Sequence, residues 1–561
     1  MLSYTRNFRL LTCSLVGLVG QAAFAQQLPD AGSQLRQIAP VPQPQRPAPE
    51  LRIQSPDAQA PGGAEGGARI VVASVRIEGA SAFTASELLA QAGFQPGSEL
   101  DLSQLRAMAA RITDFYRGAG FFVARAYLPA QDVRDGEVTI AVAEGSYGQV
   151  EPRNQSRLSS SVAQGLMGEV APGQLVNSAP LESSLLLLSD LPGVAVKSTL
   201  APGVAVGTSD LFVDIVPGAA VSGSVDADNQ GNRYTGRERV GAIINLNNPA
   251  GLGDVASLRL LTAGDGLKYA RASYQVQAGR GKLGLAYAHL DYRLGKEFSS
   301  LQAHGTAKVA SVFGSYPLLR SRNANRYAQW SFEDKRFDDR VDSTGARAEK
   351  KSRLLNLNLN GDQRDLFGSE SLSTYQLSAA VGRFDPRSAA LRAADAASSR
   401  AEGSFTKLGF SLGHLQAVAR NTYLSVALGG QFASKNLDAS EKMALGGASA
   451  VRAYPEGETQ ADEAYVLTVE ARYNLGQLAA YVPGQLQLVG FVDTGTARIS
   501  KKPWTTADNH RTLSGGGFGV NWVVGSDFVV KAFYAHTIGS ARATSAPPAS
   551  SRFWLQGVKY F

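Results

Sequence analysis

Leu355-Asn356-Leu357-Asn358-Leu359-Asn360 alternates an apolar residue with an amide at every step. Tyr465-Val466-Leu467-Thr468-Val469-Glu470-Ala471-Arg472-Tyr473 alternates in the same way, with Val466, Thr468, Glu470 and Arg472 on the second face. Successive strand side chains point to opposite faces, so each stretch predicts a strand with one apolar and one polar face. The pattern starts after Pro217 and holds to the last residue, in about sixteen segments of roughly 9–13 residues. Soluble strands more often run about 5–6 residues, whereas a tilted membrane strand needs about 9–11. A soluble sandwich also alternates, so segment length is what points to a membrane β-barrel. The connections agree: 263–266 and 524–526 read as tight turns, and 336–351, 384–403 and 436–462 as long polar loops. The chain closes on a strand, 553–561, with an aromatic final residue.

Composition fits. Of 561 residues, 18% are charged, below the roughly 25% of soluble proteins, and the 59 glycines make about one residue in ten against a usual ~7%. Beyond the N-terminus no apolar run approaches the ~18 residues of a spanning helix, which excludes a polytopic helical membrane protein and leaves a barrel open. At the N-terminus, Arg6 and Arg9 precede an apolar stretch over 10–20, and Ala23-Phe24-Ala25 supplies a small-x-small cleavage pattern, so residues 1–25 read as a secretory signal. Cys13, the only cysteine, lies inside it, leaving no disulfide framework or cysteine metal site for the mature chain. Removing the signal takes the net charge from +7 to +5, too small an excess to argue for nucleic acid.

Residues 26–68 hold eight of the 24 prolines and end in a glycine-rich run, the composition of a linker, with a short helix expected within 30–38. From 69 to 146 the order reads β-α-α-β-β. A strand carries Ile70, Val71, Val72, Val75 and Ile77, and a short helix over 86–91 is capped by Thr84 or Ser86. A helix over 103–116 follows, with Leu105, Met108, Ile112 and Phe115 on one face, and then strands over 121–128 and 138–142. A second α+β unit spans 147–219, with helices near 158–167 and 181–189 and strands near 194–200 and 211–216. The fold class expected is mainly β: a sixteen-stranded transmembrane barrel over 220–561 behind two small α+β modules.

Chemistry of other kinds is not legible. The five histidines lie outside any HExxH or ligand spacing, which leaves no metal or cofactor site to nominate. Gly515-Gly516-Gly517-Phe518-Gly519 opens a strand, so small-residue packing in a wall is the better reading than a nucleotide loop. Gly279-Arg280-Gly281-Lys282 lacks Walker spacing, so no ATP motor is encoded there. No catalytic residue is nominated.

Several motifs are more specific. Phe115-Tyr116, Gly120-Phe121, Leu128-Pro129-Ala130-Gln131-Asp132 and Glu144-Gly145 mark the first module, and Asp228–Gly236 with Gly251-Leu252-Gly253-Asp254 the first barrel hairpin and the turn after it. Leu445-Gly446-Gly447 precedes Val451-Arg452-Ala453-Tyr454-Pro455-Glu456-Gly457-Glu458 in the loop before the twelfth strand, and Phe491-Val492-Asp493-Thr494-Gly495 lies on a later strand. In these residues the chain resembles the outer-membrane transporters of two-partner secretion, the haemolysin activation/secretion family, over 70–561. The resemblance implies two periplasmic POTRA domains, an inward-folded loop with Val451, Arg452, Ala453 and Tyr454 at its core, and a barrel-wall partner in Phe491, Asp493 and Gly495. Ala453 stands where the family core has glycine, which disfavours a positive φ there. It also implies a POTRA groove formed by Leu105, Phe115, Tyr116, Phe121 and Val123, and an N-terminal helix that gates the pore.

The implied function is export of an unfolded cognate exoprotein, large and β-rich, of haemolysin, adhesin, haem-acquisition or contact-dependent toxin type. It proceeds without ATP, from periplasm through the lipid-embedded barrel of the bacterial outer membrane. Alternatives are an insertase for other outer-membrane proteins, a passive porin and an outer-membrane hydrolase. The porin needs neither POTRA modules nor the Arg452 loop, and the hydrolase needs a nucleophile–histidine constellation that is not legible.

Overall fold

The computed structural model describes residues 28–38, 50–53, 69–476 and 483–561. The signal segment and most of the proline-rich stretch lie outside them.

Sixteen strands, from Val221–Asp228 to Ser551–Tyr560, close into one antiparallel barrel in which sequence neighbours are spatial neighbours. Closure leaves no free edge, which a bilayer requires because hydrocarbon offers no hydrogen bonds to an open strand. The seam is the shortest pairing, Ser224–Asp228 against Gln556–Tyr560, extended by mutual backbone bonds between Gly223 and Phe561 of 2.9 and 3.0 Å. The alternation falls as the sequence predicts. Leu355 and Leu357 are 46% and 54% exposed on the outer wall, and Asn356 and Asn358 turn to the lumen. A wall of exposed Leu, Val, Phe and Tyr is unstable in water and stable in lipid.

The sixth to tenth strands are longer than expected, 16–19 residues each. The stretch 336–351, read above as a long loop, is a hairpin between Ala324–Val341 and Ala346–Arg364 with only four residues at its tip. Its charges pair on the outer face: Asp338 across the strands with Arg347 at 2.9 Å and along its own strand with Arg340 at 3.0 Å, and Asp334 across the strands with Lys351 and Arg353 at 2.8 and 3.2 Å. Charge density there marks a strand that has left the hydrocarbon layer. The turn 263–266 lies at the same end as the long loops, because it joins an outgoing to a returning strand.

Of the two α+β modules, the first has a sheet in the order Ser74–Glu78, Glu137–Ala143, Arg125–Tyr127, with helices Ala85–Ala92 and Leu102–Gly118 on one face. Capping boxes at Thr84/Glu87 and Asp101/Gln104 start those helices. The single strand expected over 70–77 is two. Ile70–Val72 pairs with Ser98–Leu100, and the chain breaks at Ala73, whose N–H bonds Gly136 O at 2.8 Å, before Ser74–Glu78 joins the other sheet. The strand expected over 121–128 is only Arg125–Tyr127, because a turn starting at Gly120 (φ 93°) occupies the preceding residues. The second module has helices Ser160–Leu166 and Ser178–Ser189 and a sheet that includes Ser146–Asn154, a strand the sequence did not reveal. Its outer edge, Val194–Pro202, is covered by the chain's own Glu50–Ile53 in parallel register.

The second module sits against the turns at one barrel end. Asp190 takes two bonds from Arg320 at 2.8 and 2.9 Å, Arg280 pairs with Glu169 and donates to Ser183 at 2.9 Å, and Ser159 N–H bonds Gly251 O at 2.7 Å. That end is the module side, and the long loops emerge at the other.

Candidate functional site: the closed lumen

The loop 434–462, between the eleventh and twelfth strands, folds back into the barrel. Its base is a two-residue ladder, Met443–Ala444 against Gln460–Ala461, and Asp462 ties it by accepting from Leu437 N and Lys501 N at 2.9 and 2.8 Å. At its core Arg452 is 5% exposed and Asp493, on the wall, is 0%. Arg452 Nε and Nη2 donate to the two oxygens of Asp493 at 2.8 and 2.7 Å, the fork geometry specific to arginine, and Nη1 donates to Glu470 at 2.8 Å. The guanidinium lies 3.4 Å from the Phe491 ring centroid, a cation–π contact. Trp554 on the last strand donates to Arg452 O at 2.7 Å, and Thr468 Oγ1 completes Asp493 at 3.0 Å.

The structure brings Val451, Arg452, Ala453 and Tyr454 together with Phe491, Asp493 and Gly495, the two sets nominated from sequence. Ala453 is not among the residues with positive φ, and its methyl fills the space left by Gly515, where a Cβ would collide with it. Gly495 likewise gives room to Val451, whose Cγ2 would stand 3.3 Å from a Cβ there. Tyr454 donates to Ala541 O at 2.9 Å.

A second element stands in the pore beside the loop. Helix Ala31–Arg36, opened by an Asp30/Ser33 capping box, lies inside the barrel, with Ala31 fully buried among Tyr234, Leu261, Leu290 and Tyr292. Lys350 on the wall is its anchor. Its ammonium meets Asp30 and stands 3.5 Å from both Asp339 on the wall and Asp438 on the inward loop. Asp339 also accepts from Ala31 N at 2.8 Å. Gly32 packs against the loop so closely that a Cβ would stand 2.7 Å from Ser440 Cβ. The neighbouring Glu441 is gripped by Lys335 and Lys407 at 2.9 and 2.6 Å. Helix, loop and wall therefore share charges. Sequence reasoning placed the helix but missed Lys335, Lys350, Lys407 and Glu441, whose only signal is being charged on lumen-facing strand or loop positions.

Of the five residues nominated for a groove in the first module, two are core and three are part-exposed. Tyr116 is 0% and Leu105 5% exposed. Phe115, Tyr116 and Phe121 surround Phe83 at ring separations of 4.8, 5.0 and 5.8 Å. Val123 packs against the second module's core. These residues hold the module together, since an apolar helical stripe buries itself against its own sheet first. Tyr116 donates to Glu144 at 2.6 Å. Burial pushes the Glu144 carboxyl up, but bonds from Ala82 N–H, Ser81 and Tyr116 outweigh it and hold it below the usual carboxylate range.

A lipid-facing closed barrel, reached through α+β modules and shut by an anchored loop and helix, defines an outer-membrane transport barrel of the POTRA class. Residues 70–145 match the POTRA domain of ShlB type, and residues 207–522, more than half the chain, match the haemolysin secretion/activation proteins ShlB/FhaC/HecB. The chain belongs to that family, the outer-membrane transporters of two-partner secretion, whose POTRA domains lie in the periplasm. It is 28% identical over 476 residues to the heme/hemopexin transporter protein HuxB of Haemophilus influenzae strain 86-028NP, covering 83% of this chain and 82% of that protein. It is 24% identical over 448 residues to the outer membrane transporter CdiB of Dickeya dadantii, covering 75% and 74%. Among solved structures, CdiB from Escherichia coli superposes with a TM-score of 0.71 at 20% identity, over 90% of this chain and 94% of that one. BamA from Haemophilus ducreyi shares the fold more distantly, with a TM-score of 0.52 at 14% identity, over 88% and 100%.

Proposed function

We propose that this chain exports one large, β-rich exoprotein, received unfolded in the periplasm and passed through the barrel lumen. The observation that carries the reading is that two separable segments close the lumen through shared charges. A passive porin has no use for such a closure, and an exporter needs it to keep the membrane sealed between substrates. The POTRA modules receive the substrate as an added strand, with main-chain bonds supplying affinity. Of the two edges of the first module's three-stranded sheet, Arg125–Tyr127 is capped, since Ala126 N–H donates to Thr113 Oγ1 at 2.9 Å. The receiving edge is therefore Ser74–Glu78, with Phe115 and Phe121 as supports behind it.

Arg452, Asp493 and Lys350 act as the closure, released when substrate engages. Folding of the exoprotein outside the cell supplies the bias, with no ATP consumed. Similarity to a heme/hemopexin transporter over most of the chain favours a haem-acquisition exoprotein as the substrate. Quantitative proteomics of culture supernatant and outer membrane, wild type against a strain lacking this gene, tests the proposal. Loss of one large secreted protein with other barrels unchanged is expected, and broad depletion of outer-membrane barrels would make the protein an insertase instead.

A further inference from the structure

Arg552, near the start of the last strand, lies at the outer mouth of the barrel, opposite the buried Ala535 and on the same inward face as Trp554. Its Nε and Nη2 are shielded from solvent and meet no hydrogen-bond partner among the described residues. The charges that act on it are Arg237 and Arg233, of its own sign, and Glu458. Glu458 is already spent. Its oxygens accept from Thr544 N and Oγ1 at 2.9 and 2.8 Å, from Ser545 N and Oγ at 2.9 and 2.5 Å, and pair with Arg511 at 2.6 Å. Arg233 is held by Glu297 at 2.6 Å, and Arg237 is exposed on the first outer loop. From Phe528 to the C-terminus the chain has no Asp or Glu at all.

A cation with shielded donors and no counterion is strongly disfavoured unless an anion reaches it. The lumen cations Lys335, Lys350, Arg239 and Arg452 have carboxylates beside them, whereas Arg552, like Lys531, has none within ion-pair distance among the described residues, and Arg552 adds two shielded donors without a partner. Arg552 as a whole is part-exposed, and a guanidinium carries enough donors to take a carboxylate on two at once. Phe553 and Leu555 face outward on either side, so a lipid phosphate on the outer wall does not reach the inward-turned Arg552.

We propose that Arg552, with Arg237 at the rim, is a docking site for the carboxylate side chains of polypeptide leaving the barrel. Acidic stretches of the emerging chain pause there, which opposes back-sliding. The site rests on the export reading and adds to it a position and a side-chain chemistry.

The test uses the full chain in nanodiscs with three probes: hexaglutamate, hexalysine and inorganic phosphate. Saturable, salt-sensitive binding of hexaglutamate is expected, weakened at least tenfold in Arg552→Gln and less in Arg552→Lys, with no binding of hexalysine. Equal hexaglutamate binding by wild type and Arg552→Gln overturns the site, as does phosphate binding as tightly as the peptide. If Arg552→Gln does not form a heat-modifiable barrel, Arg237→Gln replaces it, and a smaller loss in the same direction is expected. Secretion by wild-type cells is measured in parallel. Secretion without hexaglutamate binding sinks the site alone, and binding without secretion sinks the export reading alone.

Discussion

Replacing Arg452 by Ala removes three side-chain hydrogen bonds and a cation–π contact, and leaves Asp493 fully buried with only Thr468 Oγ1 and the residue-452 N–H, at 3.0 and 3.1 Å, as donors. Glu470 loses less, because Arg472 still holds it at 2.7 Å. Breaking a buried pair on one side costs about 3–5 kcal/mol, roughly two to four orders of magnitude in the population of the undocked loop. The barrel's ladders are untouched, so assembly should survive. Val451 is 0% exposed beside Arg452, and Cys13 is the chain's only cysteine, in the expected signal segment, so a Val451→Cys probe reports undocking through maleimide labelling. Labelling should be slow in Val451→Cys alone and at least about a hundredfold faster when Arg452→Ala is added. Adding Asp493→Ala as well should recover part of the difference, because the stranded carboxylate is then gone. An unchanged labelling rate in the Arg452→Ala background, with a heat-modifiable barrel, would mean that the Arg452 pair does not hold the loop.

Other perturbations follow from the same geometry. Lys350→Met strips Asp30, Asp339 and Asp438 of their shared counterion, so channel openings in planar bilayers should become at least about tenfold more frequent, without loss of barrel assembly. Gly32→Val drives a side chain into Ser440 and should open the pore in the same assay, while Arg452–Asp493 stays docked by the Val451→Cys criterion. Glu144 sits below its ordinary pKa of 4.5 when folded, so its contribution to the first POTRA domain is present above the unfolded value and lost as pH falls through the folded one. Thermal melts of the full chain should show that domain weakening below about pH 4.5 in wild type, with the dependence flattened in Glu144→Gln.

The barrel was legible because a membrane strand writes its two faces into every second residue, as in 355–360 and 465–473. What failed was the border between strand and loop. In 336–351 charge suggested solvent, and solvent was right, but the strands continue into it on cross-strand ion pairs that only the register reveals. The break at Ala73 was invisible because Val72 and Val75 are apolar on either side of it. Ser146–Asn154 carries Gly148, Pro152 and few apolar residues, so it gave no strand signal. In the site, Arg452 and Asp493 were found by motif, whereas Lys350 and Asp30 lie 320 positions apart and nothing local marks either. Two of the nominated groove residues turn out to be core. Helical periodicity identifies the buried face of a helix, so Leu105 and Tyr116 were signals of core and not of binding.

If polypeptide travels inside this barrel once the helix and loop withdraw, it passes the lumen face of the wall and not the lipid face. Neighbouring residues on one strand test it directly, since Asn358 faces the lumen and Leu357 faces lipid. A photo-crosslinking amino acid at position 358 should capture the exported protein in actively secreting cells, while the same group at 357 should not. Capture at 357 and not at 358, or at neither position while secretion proceeds, would mean that the exported protein does not pass through this lumen.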